Sequence, residues 1–135
     1  MKRVFADTNI LIDLIADRQP YSKFAIRLFQ KAENNEIEIF TSTHSIATAH
    51  YVLKKHTSED HLRNILYELL NYLSVIPIDT NMIKKGLRSR YKDFEDGLQI
   101  LCAASIPQID CIITRNIKDF KNSEIPAFTP DQILQ

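Results

Sequence analysis

The stretch IDCIITRNIKDF, residues 109–120, decides the predicted fold of this 135-residue chain. It opens with an apolar run, residues 109–113, that only Asp110 interrupts. Such a run is typical of a strand that is buried on both faces of a parallel sheet. The polar residues that follow, 114–119, are therefore expected at the carboxyl edge of the sheet, where open parallel sheets bind their ligands.

The N-terminus repeats this arrangement in a shorter form. Residues 4–6 are apolar, and Asp7, Thr8 and Asn9 follow them directly. In a parallel sheet the carboxyl ends of both strands lie at the same edge, where ligand sites form. We therefore expect Asp7 and Asp119 to contribute to one acidic site.

Apolar periodicity along the rest of the chain alternates strands with helices. The predicted strands span residues 4–6, 37–40, 75–78, 109–113 and 127–129, and the predicted helices span 9–16, 21–33, 45–55, 62–73, 80–88, 94–105 and 130–134. This order predicts one α/β domain, residues 1–135, whose parallel sheet is covered by helices on both faces. Pro77 favours an edge position for the third strand, because proline cannot donate a hydrogen bond.

The composition limits the classes of function. Lys+Arg and Asp+Glu both number 17, so any surface that binds nucleic acid has to be local. Cys102 and Cys111 lie in apolar runs, which predicts buried free thiols rather than a metal site or a disulfide. The sequence predicts neither a signal peptide nor a membrane span, so we expect a cytoplasmic protein.

A second acidic group lies where the helix after Asp93 begins. Asp93 is placed to cap this helix. Asp96 shares a helical face with Ile100 and is predicted to point inward, whereas Glu95 and Gln99 lie on a more polar stripe. An inward carboxylate is costly unless it is paired or bound to a cation.

Asp7, Asp96 and Asp119 are the strongest candidates for a shared site. Close carboxylates repel one another and raise their pKa values. A hard divalent cation removes this conflict, and ligation by oxygen alone favours Mg²⁺ or Mn²⁺. Such sites activate water and stabilise the charge that develops at phosphorus. The structural alternatives are a helix cap for Asp7 and a turn for Asp119.

Basic residues flank these acids. The candidates for contact with phosphate groups are Arg88, Arg90, Lys92, Arg115 and Lys118, with a solvated rim as the alternative. The four histidines, at positions 44, 50, 56 and 61, are expected at the surface.

Three segments carry a resemblance to a known family: FADTNILID at 5–13, DFEDGLQILCAA at 93–104 and IITRNIKDF at 112–120. They resemble the PIN domain, in particular the ribonuclease toxins of VapBC-type toxin–antitoxin pairs, over nearly the whole chain. The resemblance implies a three-layer α/β/α fold with a four- to five-stranded parallel sheet. It also implies a Mg²⁺-dependent endoribonuclease that uses metal-activated water, forms homodimers and has an antitoxin partner.

The same resemblance assigns roles to individual residues. Asp7, Asp96 and Asp119 correspond to the metal-binding acids. Thr114 and Asn116 correspond to the hydroxyl and amide that hold the first-strand Asp and the active-site loop, and Asn9 and Thr48 are further supporting residues.

Position 48 departs from the family pattern. The helix after the second strand usually carries a Glu, and counting from Ser42 places Thr48 there. A hydroxyl can hold a water molecule but cannot neutralise charge. We expect Asp93, in preference to Asp79, to supply the missing carboxylate. The alternative is a weakly active or non-catalytic PIN-like module that binds RNA or a protein partner.

A phosphotransfer enzyme of the haloacid-dehalogenase type, with Asp7 as the nucleophile, is a more distant alternative. That family requires an Asp two positions further on, where this chain has Asn9. The sequence therefore disfavours it.

Overall fold

The computed structural model describes residues 1–134, and its central feature is a five-stranded sheet in the order β3-β2-β1-β4-β5. Every pair of neighbouring strands is parallel. The strands are β1 Lys2–Ala6, β2 Ile37–Ser42, β3 Leu73–Ile76, β4 Cys111–Ile113 and β5 Ala127–Phe128. The predicted parallel sheet is thus confirmed, with β1 at its centre and β3 at one edge.

Helices cover both faces of this sheet. They are α1 Thr8–Ala16, α2 Ser22–Glu33, α3 Thr43–Leu53, α4 Glu59–Leu69, α5 Thr80–Leu87, α6 Phe94–Ala104 and α7 Pro130–Ile133, with a 3₁₀ turn at Ile117–Phe120. Side chains of a strand point alternately to opposite faces. Val4 and Ala6 belong to a core that includes residues of α1 to α4, whereas Phe5 belongs to a second core with residues of α6. The three-layer α/β/α architecture is confirmed.

The pairing of β1 with β4 sets the position of the polar residues that follow each strand. Val4, Phe5 and Ala6 are fully buried, as the apolar run predicts. Ala6 is paired with Ile113, and the Asp7 N–H donates to the Ile113 carbonyl at 2.9 Å. The residues after both strands therefore leave the sheet side by side.

The strand after Pro107 is shorter than predicted. It begins at Cys111 rather than Ile109, because Gln108 has a φ of 58° and turns the chain immediately before it. Asp110 pairs with Arg3 instead, through its backbone N–H to the Arg3 carbonyl at 2.8 Å and through its carboxylate, which accepts from the Arg3 N–H at 2.7 Å. The edge strand β3 ends at Ile76, one residue before Pro77.

The segment before α6 packs closely on that helix. A Cβ atom at Gly97 would lie 2.9 Å from Tyr91 Cδ2, so glycine permits this approach next to Asp96.

The two cysteines are free and buried as predicted, and burial raises the pKa of Cys102 to about 12 and that of Cys111 to about 11. No helix within residues 1–134 is long and apolar enough to cross a bilayer.

Candidate functional site

A cleft of about 210 Å³ opens where β1 and β4 end, and it collects the predicted acids. Asp7, Asp96 and Asp119 all line it, although they come from the end of β1, the first turn of α6 and the 3₁₀ turn. The other polar residues of its lining are Thr8, Asn9, His44, Thr48, Glu95, Gln99 and Asn116. Asp93 does not line this cleft, although it was the expected fourth acid.

Asp7 is held firmly at the base of the cleft. Its Oδ1 accepts from the Thr8 N–H at 2.8 Å, and its Oδ2 accepts from the Thr114 hydroxyl at 2.9 Å. Asp7 is therefore both the N-cap of α1 and a residue of the cleft. Burial raises the pKa of the Asp7 carboxyl, while the hydrogen bonds from Thr114 and Thr8 act in the opposite direction. Thr114, which follows β4, therefore holds the carboxylate of Asp7, which follows β1.

Asp96 is affected by the other carboxylates. It is half-buried in the first turn of α6. Desolvation raises its pKa to about 6, with further contributions from repulsion by Asp93, Asp119, Asp7 and Glu95. Repulsion from Asp119 also adds to the raised pKa of Asp7. Asp7 and Asp119 are therefore close enough to Asp96 to raise its pKa.

The donor set of the cleft suits a hard divalent cation. The three carboxylates offer only oxygen atoms, which Mg²⁺ and Mn²⁺ prefer. Thr8 and Thr114 each donate a hydrogen bond to one Asp7 oxygen, and Gln99 also favours the charged form of this carboxyl. Within residues 1–134, no three Asp, Glu, His or Cys side chains already surround one point at ligand distance. Ligation therefore requires side-chain rotation, and Asp119 is solvent-exposed and can rotate.

A buried polar network behind the acids was not predicted. Gln99 is 2% exposed, and its Oε1 accepts from the Ser42 hydroxyl at 2.6 Å. Its amide donates to the Thr8 hydroxyl at 3.1 Å and to the Ser45 hydroxyl. These bonds join α6 to α1 and α3 at the back of the cleft. The signal in the sequence was a glutamine between Leu98 and Ile100, where a helix would otherwise be apolar.

Arg115 differs from its predicted role as a phosphate contact. Its Nε lies 2.6 Å and its Nη2 3.2 Å from the two carboxylate oxygens of Asp13, which is 1% exposed. The guanidinium also lies 4.1 Å from the centre of the Tyr21 ring. Burial raises the pKa of Asp13, and the charge of Arg115 opposes this shift. Arg115 therefore joins α1 to the loop that carries Asn116.

All four histidines are accessible to solvent as expected, but two of them are partly covered by contacts with other side chains. His44 is half-buried in the wall of the cleft, with Nε2 3.4 Å from the Thr48 hydroxyl. His50 is also half-buried, and its Nε2 lies 2.7 Å from a carboxylate oxygen of Glu59. His56 and His61 are exposed as expected.

A second cleft of about 190 Å³ adjoins the acidic one, and Asp96 and Asp119 line both. Its remaining lining is Tyr91, Lys92, Asp93, Lys118, Lys121 and Asn122. Two of the predicted basic residues, Lys92 and Lys118, thus lie beside the acids, and Lys121 joins them. Arg88 lies instead in a separate depression with Lys84 and Lys85 of α5.

The contact with Asp13 predicts a structural role for Arg115. We expect Arg115→Ala to lower the free energy of unfolding by about 2–4 kcal/mol, because it leaves a buried carboxylate without its partner. Lys118→Ala is the matched control, since Lys118 is exposed in the same loop region and is expected to change stability by less than about 0.5 kcal/mol. Urea unfolding measures both, and equal stabilities of the two variants would contradict the assignment.

The raised pKa of Asp96 predicts a pH-dependent effect on stability. The folded protein binds this proton more tightly than the unfolded chain does, because the pKa rises from 3.8 to about 6. Stability is therefore lost as the pH rises through this window. In EDTA at pH 7.5, Asp96→Asn should be more stable than the wild type by up to about 1 kcal/mol, a value reduced for solvent screening.

This gain should largely disappear near pH 3, which lies below both pKa values, because Asp96 is then mostly protonated in the folded and the unfolded state. Asp60→Asn is the charge-matched control, since it removes an exposed acid from the first turn of α4. Thermal unfolding followed by circular dichroism at the two pH values measures the difference. A lower melting temperature of Asp96→Asn at pH 7.5 would instead show that this carboxylate stabilises the fold.

Solved structures with this fold include toxin–antitoxin complexes. One is a toxin–antitoxin complex from Klebsiella pneumoniae, with a TM-score of 0.68, 26% sequence identity, and coverage of 94% of this chain and 97% of the other. Another is VapBC2 from Rickettsia felis bound to a DNA fragment from their promoter, with a TM-score of 0.69, 19% identity, and coverage of 94% and 98%. At 19% identity the second likeness concerns the fold alone.

Sequence comparison leads to the same group of proteins. The chain is 27% identical over 140 residues to Ribonuclease VapC1 from Aquifex aeolicus (strain VF5), which covers 99% of this chain and 94% of the relative. A family model described as PIN domain matches residues 3–118, which span all the acids of the cleft except Asp119. Since this match covers most of the chain and the fold has the expected three layers, the chain belongs to the PIN domain family.

Proposed function

We propose that this protein is a Mg²⁺- or Mn²⁺-dependent endoribonuclease and the toxin of a toxin–antitoxin pair. The observation that carries the proposal is the meeting of Asp7, Asp96 and Asp119 in one cleft from three separate elements. The relative from Aquifex aeolicus, which is called a ribonuclease, supports RNA as the substrate. The complex from Klebsiella pneumoniae supports an antitoxin partner.

The residues of the cleft have different roles in the proposed hydrolysis. A divalent cation bound to the three acids would activate water and stabilise negative charge on the phosphate. Asp7 is oriented for this role by hydrogen bonds from the Thr114 hydroxyl and the Thr8 N–H. Asn9 and Asn116 line the cleft and offer amide groups to RNA oxygen atoms, and the Thr48 hydroxyl can hold a water molecule.

Partners and location form the remaining part of the proposal. We propose that the protein binds a cognate antitoxin, forms a homodimer and acts in the cytoplasm. An apolar groove of about 270 Å³ between α1, α2 and α4 offers a surface for a protein partner. Its lining includes Ile26, which is 41% exposed, and Tyr72, which is 39% exposed.

A weakly active or non-catalytic module remains the second candidate function. The observation in its favour is Thr48, which lines the cleft and brings no negative charge. The two candidates differ in one measurable property, since only the nuclease cleaves RNA when a divalent cation is added.

Cleavage of a mixed-sequence RNA oligonucleotide tests the nuclease directly. We expect cleavage in Mg²⁺ or Mn²⁺, none in EDTA, and a loss of at least about 100-fold in rate for Asp7→Asn and for Asp96→Asn, because each removes a metal ligand. Asp60→Asn, purified in the same way, controls for contaminating nucleases and for net charge. RNA that is bound but left intact by the wild type in both metals would instead favour the non-catalytic module.

The second cleft is proposed as the site for a neighbouring phosphate of the RNA. Lys92, Lys118 and Lys121 are exposed and line it, and Asp96 and Asp119 form the boundary it shares with the acidic cleft. An RNA strand that crosses the acidic cleft would therefore reach these three lysines next. Arg88 lies in a separate depression and Arg90 does not line the second cleft, whereas Arg115 is engaged with Asp13.

The salt dependence of RNA binding measures these contacts. On single strands, each phosphate contact contributes about 0.7 to the slope of log K against log [salt]. In the Asp7→Asn background, which prevents cleavage, the variant Lys92→Ala/Lys118→Ala/Lys121→Ala should lower the magnitude of this slope by about 2. The control Lys23→Ala/Lys54→Ala/Lys55→Ala makes the same change in charge on other elements, and an equal effect of the two would show that only net charge matters.

A further inference from the structure

We propose that Glu95 is a fourth carboxylate ligand of the divalent cation in the acidic cleft. This inference rests on the proposed metal site and extends it to a residue that the sequence placed on a polar surface stripe. Glu95 directly precedes Asp96 in the first turn of α6 and lines the same cleft as Asp7 and Asp119.

The orientation of α6 directs Glu95 toward the cleft. Residues four apart lie on the same face of a helix, so Glu95 and Gln99 share one face. Gln99 is locked at the back of the cleft by its hydrogen bonds to Ser42, Ser45 and Thr8. Glu95 therefore lies one turn before Gln99, on the face of α6 that borders the cleft.

His44 on the opposite wall lies beside the Glu95 carboxylate. Its Nε2 is 3.6 Å from Glu95 Oε2 and 3.4 Å from the Thr48 hydroxyl, so the three side chains form a row from α6 to α3. Among the described residues, no Lys or Arg side chain lies within 4.0 Å of this carboxylate. Glu95 thus brings negative charge to the side of the cleft where α3 brings none.

The other two candidates for this role have different partners. Asp93 caps α6, because its Oδ1 accepts from the Asp96 N–H at 2.9 Å, and it lines the second cleft only. Asp79 caps α5 by accepting from the Met82 N–H at 2.9 Å. The assignment of the fourth acid therefore moves from Asp93 to Glu95.

The test is calorimetric titration with Mn²⁺ alone, without RNA. We expect Glu95→Gln to weaken Mn²⁺ binding by about tenfold or more, as the loss of a group at a metal site commonly does. The Glu95 side chain is 67% exposed, so the variant should keep its fold. Asp60→Asn removes the same charge from the first turn of α4 and should bind Mn²⁺ like the wild type.

A second variant separates ligation from general charge effects. Thr48 lies on the opposite wall beside His44, so Thr48→Glu in the Glu95→Gln background returns a carboxylate to the cleft. We expect it to recover a large part of the lost affinity. The loss in Glu95→Gln should also persist in 0.5 M NaCl, where through-space effects of exposed charges are largely screened.

Three results would overturn the assignment: unchanged Mn²⁺ affinity in Glu95→Gln, a loss that disappears in high salt, or no recovery in Thr48→Glu/Glu95→Gln. These outcomes are distinct from failure of the proposed function. A wild type that binds no Mn²⁺ would overturn both. A wild type that cleaves RNA in Mn²⁺ while Glu95→Gln binds Mn²⁺ equally well would overturn only the role of Glu95.

Discussion

The parallel pairing of β1 with β4 is the constraint on which the rest of the site depends. Ala6 lies beside Ile113, so Asp7 leaves the sheet next to Thr114 and receives its hydroxyl hydrogen bond. Both strands are buried on two faces, and a shift of register by one residue would turn their apolar side chains to the wrong core. The same packing that stabilises the sheet therefore sets the position of the first acid.

Opposing interactions act on the carboxylates that gather at this edge. Burial and mutual repulsion disfavour the charged forms of Asp7 and Asp96, while hydrogen bonds from Thr114 and Thr8 favour the charged form of Asp7. The fold tolerates this conflict because neutral groups hold the surrounding elements together. Gln99 joins three helices behind the acids, so α6 stays in place although its first turn carries several negative charges.

Two basic residues that follow β4, Arg115 and Lys118, have different surroundings in the structure. Arg115 is drawn to a buried carboxylate of α1, where its planar guanidinium meets both oxygen atoms and stacks over Tyr21. Lys118 stays exposed beside the acids. Both are basic residues close to Asp119 in the sequence. They differ because Asp13 lies within reach of Arg115 and pairs with it.

The sequence by itself determined the order of strands and helices, the parallel sheet and the convergence of Asp7, Asp96 and Asp119. The elements and the meeting of Asp7 with Asp119 follow from local apolar periodicity and from the rule that parallel strands end at one edge. The place of Asp96 beside them follows from its predicted inward face and from the resemblance to the PIN domain. Only the tertiary structure decided the partners of Arg115, Gln99 and Glu95. Arg115 and Asp13 are 102 positions apart, and Gln99 and Ser42 are 57 apart. Such contacts depend on how helices pack across the sheet, and no local pattern along the chain specifies the distance between two side chains.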